Sequence, residues 1–501
     1  MTRRLAAWQV LLLAALFGAG AAFGQQPYDL PPLMLLGLIG AAWLFVGRVT
    51  PGQAAWTGWA FGLGYFMHAL QWIVSPFMVD VARHGWMAPF ALVFLAAGMA
   101  LFWGAAFWGG RKLSRTGPWA LIPCWVAAEL VRAYIFTGFP WASPAQSTVG
   151  VLAGQTLAWI GPHGLNVILI GAAVWGATAL TSRPALHWRL LREASLLVLL
   201  VALLLPVPDR DAPLSGHTIR LVQPNAAQKD KWDPDKIPVF FQRQLQYTAA
   251  PPEGAAPDLV LWSETAIPWN LEWAGTALEE IARAGADAPV ALGVQRSDDL
   301  RYFNAMITLD QSGAVTQTYD KHHLVPFGEY MPLGDFLARF GIYGLAANQG
   351  HGYTAGPGAR LLDFGPLGRA LPLICYEAVF AHDVNAAPER PDFLIQITND
   401  AWFGRGAGPR QHLAQARMRA IEQGLPLARV ANTGISAMID PQGRVTASLP
   451  LNTAGFLDAA LPAPAAVTPY RRTGDLPVAL FVLLALAACG LHARRRGQGR
   501  P

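Results

Sequence analysis

Leu371-Pro372-Leu373-Ile374-Cys375-Tyr376-Glu377 is an apolar, β-prone run that stops at a cysteine, and a mixed segment of helical character follows over 378–387. A nucleophile at a strand-to-helix turn is exposed at a sheet edge, where the first backbone N–H groups of the helix stabilise negative charge. A cysteine after one strand is also common as buried filler. The surrounding chain decides between the two.

Around this stretch, apolar runs have strand length and are separated by turn signals. Residues 217–223, 258–262, 289–295, 302–310, 314–319, 359–364, 369–374, 392–398, 427–431, 436–440 and 445–449 read as strands. Helical stretches fall at 238–249, 275–284 and 409–423. Such alternation predicts a layered α/β domain, with antiparallel pairs joined by turns such as Gln311-Ser312-Gly313.

The composition changes at Pro206-Val207-Pro208-Asp209-Arg210. The 501 residues are 53% hydrophobic and 14% charged, with 19 Trp; soluble domains carry about 25% charged residues. Apolar runs at 5–23, 31–46, 54–74, 87–110, 118–136, 161–181, 193–206 and 476–491 are expected to be eight membrane spans. A spanning helix needs about 20 residues, and flanking Trp and Arg extend the shorter runs to the interface. The first run resembles a signal peptide, but the apolar runs that follow favour an uncleaved span. The expected divisions are a bundle over 1–206, an extramembrane domain over 207–475, and an eighth span with a basic tail over 476–501.

The net charge of +5 is not a nucleic-acid signal, because much of the basic excess lies beside the spans. Arg3, Arg4, Arg48, Arg111, Lys112, Arg115, Arg183, Arg189, Arg192, Arg494, Arg495 and Arg496 fall on one side, against Arg83 and Arg132 on the other. By the positive-inside rule the first side is cytoplasmic, so residues 207–475 face outward, into the periplasm of a bacterium. Arg471 and Arg472 break the rule, but long domains translocate regardless of charge. Three cysteines, Cys124, Cys375 and Cys489, give no disulfide framework.

Within the bundle, Glu129 and Arg132 share a helix face, which reads as a snorkelling structural pair in preference to a direct substrate role. Thr137-Gly138-Phe139-Pro140-Trp141 and the small-residue run to Gly154 are too apolar for an ordinary loop and too broken for a span. A re-entrant or interfacial segment is expected there.

Three strand ends in the outer domain deliver ionisable groups: Glu264 after Leu259-Val260-Leu261-Trp262, Lys321 after Tyr319-Asp320, and Cys375. Cysteine attacks as thiolate, a form that a nearby lysine favours. A partly buried carboxylate takes the thiol proton and returns it to a leaving group, while the ammonium and a backbone N–H bind an oxyanion. Each group alone also reads as a solvated strand end. His322 and His323 have no other histidine or carboxylate at zinc-like spacing, so no metal is expected. The glycine-rich runs Gly350-His351-Gly352-Tyr353 and Gly404-Arg405-Gly406-Ala407-Gly408 lack phosphate-binding form and read as lids.

The set Trp262-Ser263-Glu264, Asp320-Lys321-His322, Pro326-Phe327-Gly328-Glu329 and Cys375-Tyr376-Glu377 resembles the Glu-Lys-Cys triad of the nitrilase superfamily. With the spans around it, the chain resembles that superfamily's membrane branch, the apolipoprotein N-acyltransferases. Lys231-Trp232-Asp233-Pro234, Thr398-Asn399-Asp400-Ala401-Trp402-Phe403-Gly404 and Ala431-Asn432-Thr433-Gly434-Ile435-Ser436 extend the likeness nearly end to end. The resemblance implies a nitrilase-like α-β-β-α sandwich beside a multi-span α-helical membrane bundle. It makes Glu264 the general base, Lys321 the stabiliser of tetrahedral intermediates and Cys375 the acylated nucleophile. Glu329 orients the lysine, or is only its salt-bridge partner. Tyr376 and Glu377 form the shoulder of the nucleophile, with Glu377 positioning a loop. Trp232 and Trp402 touch acyl chains from loops over the site, or are ordinary packing, and Asn399 and Arg417 are further candidates.

The implied reaction moves a fatty acyl chain from the sn-1 position of a phospholipid, through a cysteine thioester, to the N-terminal amine of a diacylglyceryl-cysteine lipoprotein. No cofactor and no nucleic acid are implied, and a monomer in the bacterial inner membrane is expected. Two alternatives stay open at this point. One is a membrane-anchored amide or nitrile hydrolase with water as acceptor, and the other is a non-catalytic lipid-binding scaffold.

Overall fold

The computed structural model describes residues 5–114, 117–181, 185–209, 211–299, 301–332, 336, 339 and 352–498. Arg3, Arg4, Arg115, Arg183, Arg210, Gly350 and His351, named above, lie outside the described residues. The chain divides into two compact units, one of Met1–Asp209, Gly406–Ala414 and Val467–Pro501, the other of Arg210–Arg405 and Gln415–Ala466.

The first unit is helical. Its apolar helices include Ala7–Ala22, Pro31–Val46, Pro51–Ala69, Ala88–Leu113, Leu121–Tyr134, Leu157–Ala179, Leu186–Leu204 and Leu476–Gln498. Among the described residues, Val81–Leu113, Leu152–Ala179 and Leu476–Arg495 are long and apolar enough to cross a membrane; Ala7–Ala22 and Pro31–Val46 are shorter apolar helices. Helix Pro51–Ala69 starts before the apolar run because Thr50 caps it, accepting the Gln53 N–H at 3.2 Å, and Pro51 occupies the first turn. Glycine lets these helices touch: a Cβ at Gly18 would lie 2.0 Å from the Phe61 carbonyl oxygen, and one at Gly64 2.0 Å from that of Ala15.

Glu129 and Arg132 do not snorkel. Each is 1% exposed, paired at 2.7 Å, and Trp103 Nε1 donates to Glu129 at 2.8 Å. Arg132 also donates to the carbonyls of Phe139 and Trp141. The pair is buried because the broken segment after Thr137 leaves carbonyls that need a donor. That segment is two 3₁₀ turns, Pro144–Thr148 and Leu152–Thr156, buried over most of its length. Gln411 belongs to the same unit: it accepts from Trp141 Nε1 at 2.7 Å and donates to the carbonyls of Gln26 and Ala69 at 3.0 Å.

The second unit holds two six-stranded sheets. The strands are β1 (Leu214–Gln223), β2 (Leu259–Trp262), β3 (Val290–Asp298), β4 (Arg301–Leu309), β5 (Val315–Asp320), β6 (Leu362–Asp363), β7 (Arg369–Ile374), β8 (Phe393–Thr398), β9 (Leu427–Ala431), β10 (Ser436–Ile439), β11 (Val445–Leu449) and β12 (Gly455–Pro462). One sheet runs β12-β1-β2-β3-β4-β5 and the other β11-β10-β9-β8-β7-β6. Alternate residues of both sheets form one core, in which Leu221, Leu261 and Met306 meet Ile374, Ile395 and Val430. The opposite face of the first sheet, with Val260, Leu292 and Ile307, packs on Phe241, Leu278 and Ile281 of helices Ile237–Thr248 and Gly275–Gly285. Burying each such side chain contributes about 1.5–3 kcal/mol.

Strand β12 has no counterpart in the sequence reading. It pairs antiparallel with β1 at the sheet edge, and its half-buried, alanine-rich pattern carries little strand signal. The run at 359–364 is shorter than expected, with only Leu362–Asp363 paired to β7. The glycine-rich run at 404–408 is not a lid throughout, because Ala407 and Gly408 already belong to helix Ala407–Gln423.

Candidate active site

Strands β2, β3 and β5 run one way and β4 runs the other. The carboxyl ends of β2 and β5 therefore lie at one end of the sheet, with Asn304 of β4 beside them. Glu264 stands two residues past β2 and Lys321 one past β5. The Lys321 N–H donates to the Asn304 carbonyl at 2.9 Å, which fixes where the lysine leaves the strand. A Cβ at Gly293 of β3 would lie 2.6 Å from the Glu264 Cα, so glycine admits the Glu264 backbone against β3.

These side chains converge. Lys321 Nζ lies 2.8 Å from Glu329 Oε1 and 3.6 Å from Glu264 Oε1. Asn304 Nδ2 donates to Glu264 Oε1 at 2.7 Å and to Glu329 Oε1 at 3.1 Å. The other Glu264 oxygen accepts the Asn399 N–H at 2.8 Å, and the other Glu329 oxygen accepts the Val325 N–H at 2.8 Å. Glu264, Lys321 and Glu329 are all buried. Burial alone disfavours the Lys321 ammonium, but Glu329 and Glu264 outweigh it and hold the lysine above its ordinary range, with the Cys375 sulfur adding to the pull.

Cys375 follows β7 directly, with φ +52°, a left-handed conformation rare for a residue bearing a side chain. The 3₁₀ turn Cys375–Val379 and helix Ala381–Asn385 follow it. Gln396 Nε2 donates to the Cys375 carbonyl at 3.1 Å, and Arg429, itself buried against Asp400 at 2.6 Å, donates to Gln396. Burial pushes the Cys375 thiol well above its ordinary range; Glu264 pushes it further, while Lys321 pulls it down. Lys321 thus favours the thiolate, as expected of a nearby lysine, but burial and Glu264 act against it.

Tyr376 and Glu377, which follow Cys375, are buried. Glu377 accepts from the N–H of Ile374 at 2.7 Å and of His322 at 2.8 Å, so one carboxylate ties the cysteine turn to the segment after Lys321. Asn399 is buried in a chain of amides, donating to Gln228 and accepting from Asn432, both at 2.8 Å. Lys231 donates to the Glu264 carbonyl at 3.3 Å, and burial lowers its ammonium to about 8 against a weaker upward pull from Glu264. Trp232, 41% exposed, lines a cavity of about 20 Å³ with Lys231, Phe240, Phe241 and Ser263. Trp402 is half-buried on the turn Asp400–Phe403, and Arg417 donates to the Gly443 carbonyl at 2.6 Å.

Asn304, Gln396 and Arg429 were not singled out from sequence. Their signal was a polar side chain inside an otherwise apolar strand, visible at 304, 396 and 429. His323, His382 and Asp383 also come within 4.8 Å of one another, although their spacing along the chain gave no such hint.

Two buried carboxylates and a lysine whose charge acts on a cysteine thiol form a set suited to acyl transfer through a tetrahedral intermediate. Residues 218–471 match the carbon-nitrogen hydrolase family, and residues 17–175 match the apolipoprotein N-acyltransferase N-terminal domain. The apolipoprotein N-acyltransferase of Rhodopseudomonas palustris is 34% identical over 98% of this chain and 96% of its own length. That of Bradyrhizobium diazoefficiens is 36% identical over 98% and 95%. Among solved structures, an amidase from Nesterenkonia sp. AN1 shares 16% identity over 54% of this chain and 99% of its own, with a TM-score of 0.38. This chain belongs to the apolipoprotein N-acyltransferase family, with a carbon-nitrogen hydrolase fold in its second half.

Proposed function

We propose that the protein N-acylates lipoproteins in two steps on Cys375. Glu264 takes the thiol proton as sulfur attacks the ester carbonyl at the sn-1 position of a phospholipid. Lys321 and a backbone N–H beside Cys375 hold the oxyanion. The intermediate collapses to a thioester, and the proton passes from Glu264 to the departing lysophospholipid oxygen. The neutral α-amine of a diacylglyceryl-cysteine then attacks the thioester, its surplus proton returns through Glu264 to the Cys375 sulfur, and the amide leaves. The amine's ordinary pKa of about 7.7–8.0 makes its neutral form accessible.

The observation that carries this reading is the buried Lys321, ion-paired to Glu264 and Glu329 and acting on the Cys375 sulfur, in a chain whose relatives are named for this activity. The apolar helices support a bacterial membrane setting, in keeping with two lipid substrates. The finer topology is part of the proposal: eight spans in the inner membrane, residues 207–475 in the periplasm, and a monomer that takes both lipids from the bilayer. Glu329 keeps the lysine in place, and Trp232 and Trp402 contact acyl chains.

The test supplies phospholipid with either a diacylglyceryl-cysteine peptide or water as the only acceptor. N-acyl peptide formed far faster than free fatty acid supports the proposal. Fatty acid released at the same rate with and without peptide favours a membrane-anchored hydrolase.

A further inference from the structure

The segments that follow Lys321 and Cys375 meet a second time, on the side chain of Asp383. His323 Nδ1 lies 2.6 Å from Asp383 Oδ2, and His382 Nε2 lies 3.5 Å from Oδ1. His322 Nε2 stands 4.0 Å from that same Oδ1. Donor atoms of His323, His382 and Asp383 all fall within 4.8 Å of one another. The catalytic proposal above assigns these side chains no task.

We propose that His323, His382 and Asp383 form a binding site for one divalent transition-metal ion, of which Zn²⁺ is the best fit. Two borderline imidazole nitrogens with one carboxylate oxygen suit zinc; magnesium and calcium prefer all-oxygen sets. Zinc bonds to nitrogen and oxygen are about 2.0–2.2 Å, which puts ligand atoms around one ion roughly 3.3 Å apart. The His382–Asp383 separation already matches; the His323–Asp383 hydrogen bond opens from 2.6 Å, and donor atoms spread over up to 4.8 Å draw in by up to about 1.5 Å.

The surroundings resemble those of a built site. The His323 ring stacks on Phe380 with centroids 3.7 Å apart and planes 13° from parallel, which fixes the direction of its nitrogens. His322 Nδ1 is held 2.7 Å from Glu377 Oε1, an imidazole–carboxylate pairing of the kind that orients metal ligands. His322 Nε2, 4.0 Å from Asp383 Oδ1, lies outside this donor group, and a water would complete a fourth position. Access is open on one side, since the His382 side chain is 29% exposed while His323 and Asp383 are nearly buried. An ion here would pin the segment after Lys321 to the segment after Cys375. It would thus act by clamping the two catalytic loops, without touching substrate.

The test uses the full-length, untagged protein in detergent, stripped with a chelator and titrated with Zn²⁺ alone. Bound metal is counted by mass spectrometry of the element, affinity is read by competition with a chromophoric chelator, and melting temperature is followed in parallel. The proposal expects one zinc per chain, affinity weakened roughly 100-fold or more in His382→Ala and in Asp383→Asn, and no change in His217→Ala. Zinc should raise the melting temperature of the wild type but not of His382→Ala. Co²⁺ in place of zinc should give the visible bands of a four-coordinate nitrogen–oxygen site, absent from His382→Ala. No retained zinc in the wild type would overturn the proposal. So would equal retention and equal melting shifts in wild type and His382→Ala, which would mean an adventitious ion only.

Discussion

The Lys321 ammonium sits 2.8 Å from Glu329, nearer than it sits to Glu264. The cation therefore keeps a carboxylate partner even when the other carboxylate is carrying a proton. Lys321→Met should lower the rate of thioester formation about 10²–10³-fold, the loss usual for one oxyanion donor. Glu329→Gln keeps an oxygen for the lysine but removes the charge, and should lower it roughly 10-fold. Single-turnover acylation measures both, with melting curves to show that the domain still folds. Normal acylation by Lys321→Met would mean that the lysine has another task.

Asn304 donates to both carboxylates from the middle of β4. Asn304→Ala leaves two buried oxygens short of a donor, at a cost of about 1–3 kcal/mol in stability. Asn304 holds Glu264, the proposed base, without a task of its own in the proposed chemistry, so kcat should fall roughly 10-fold with little change in KM. A variant that changes KM alone would place Asn304 in substrate binding.

Lys231 gives a pH signature. Its ammonium titrates near 8 in the folded protein and near 10.5 when free, so between those values the unfolded chain binds more protons and stability rises with pH. Below pH 8 the buried charge is a standing penalty. Lys231→Met should therefore be more stable than wild type at pH 7, by roughly 1–3 kcal/mol, and the difference should shrink from pH 8 to 10.5. Denaturant unfolding at pH 7 and pH 10 checks this, and a difference independent of pH would contradict it.

Gly293→Ala places a methyl group 2.6 Å from the Glu264 Cα. Something must shift, at about 1–3 kcal/mol, and the base moves with it. The expected result is a folded protein with a lower melting temperature and acylation at least several-fold slower. Unchanged acylation would show that the position of Glu264 tolerates the displacement.

Much of the fold was legible because local physics matched the global answer. The runs read as strands up to Trp262, Tyr319 and Ile374 became β2, β5 and β7, and the groups just beyond them are the candidate catalytic set. What escaped was set by tertiary contacts. β12 is an edge strand whose partner, β1, lies more than 200 residues earlier, and its own composition says little. Asn304 and Gln396 gained meaning only when their neighbours were known, since one polar residue in a strand does not name what it faces. Glu129 and Arg132 looked like an interfacial pair because sequence cannot show that the chain folds back so that the Phe139 and Trp141 carbonyls meet the arginine. The Asp383 cluster joins positions about 60 residues apart, beyond the reach of any spacing rule.

The central claim is that Cys375 carries the acyl chain, and the mass of the intact protein after incubation with phospholipid tests it. The wild type should gain one acyl group that a diacylglyceryl-cysteine peptide removes, while Cys375→Ala gains none. An adduct of equal abundance on both proteins, or none on the wild type during active turnover, would contradict the thioester mechanism.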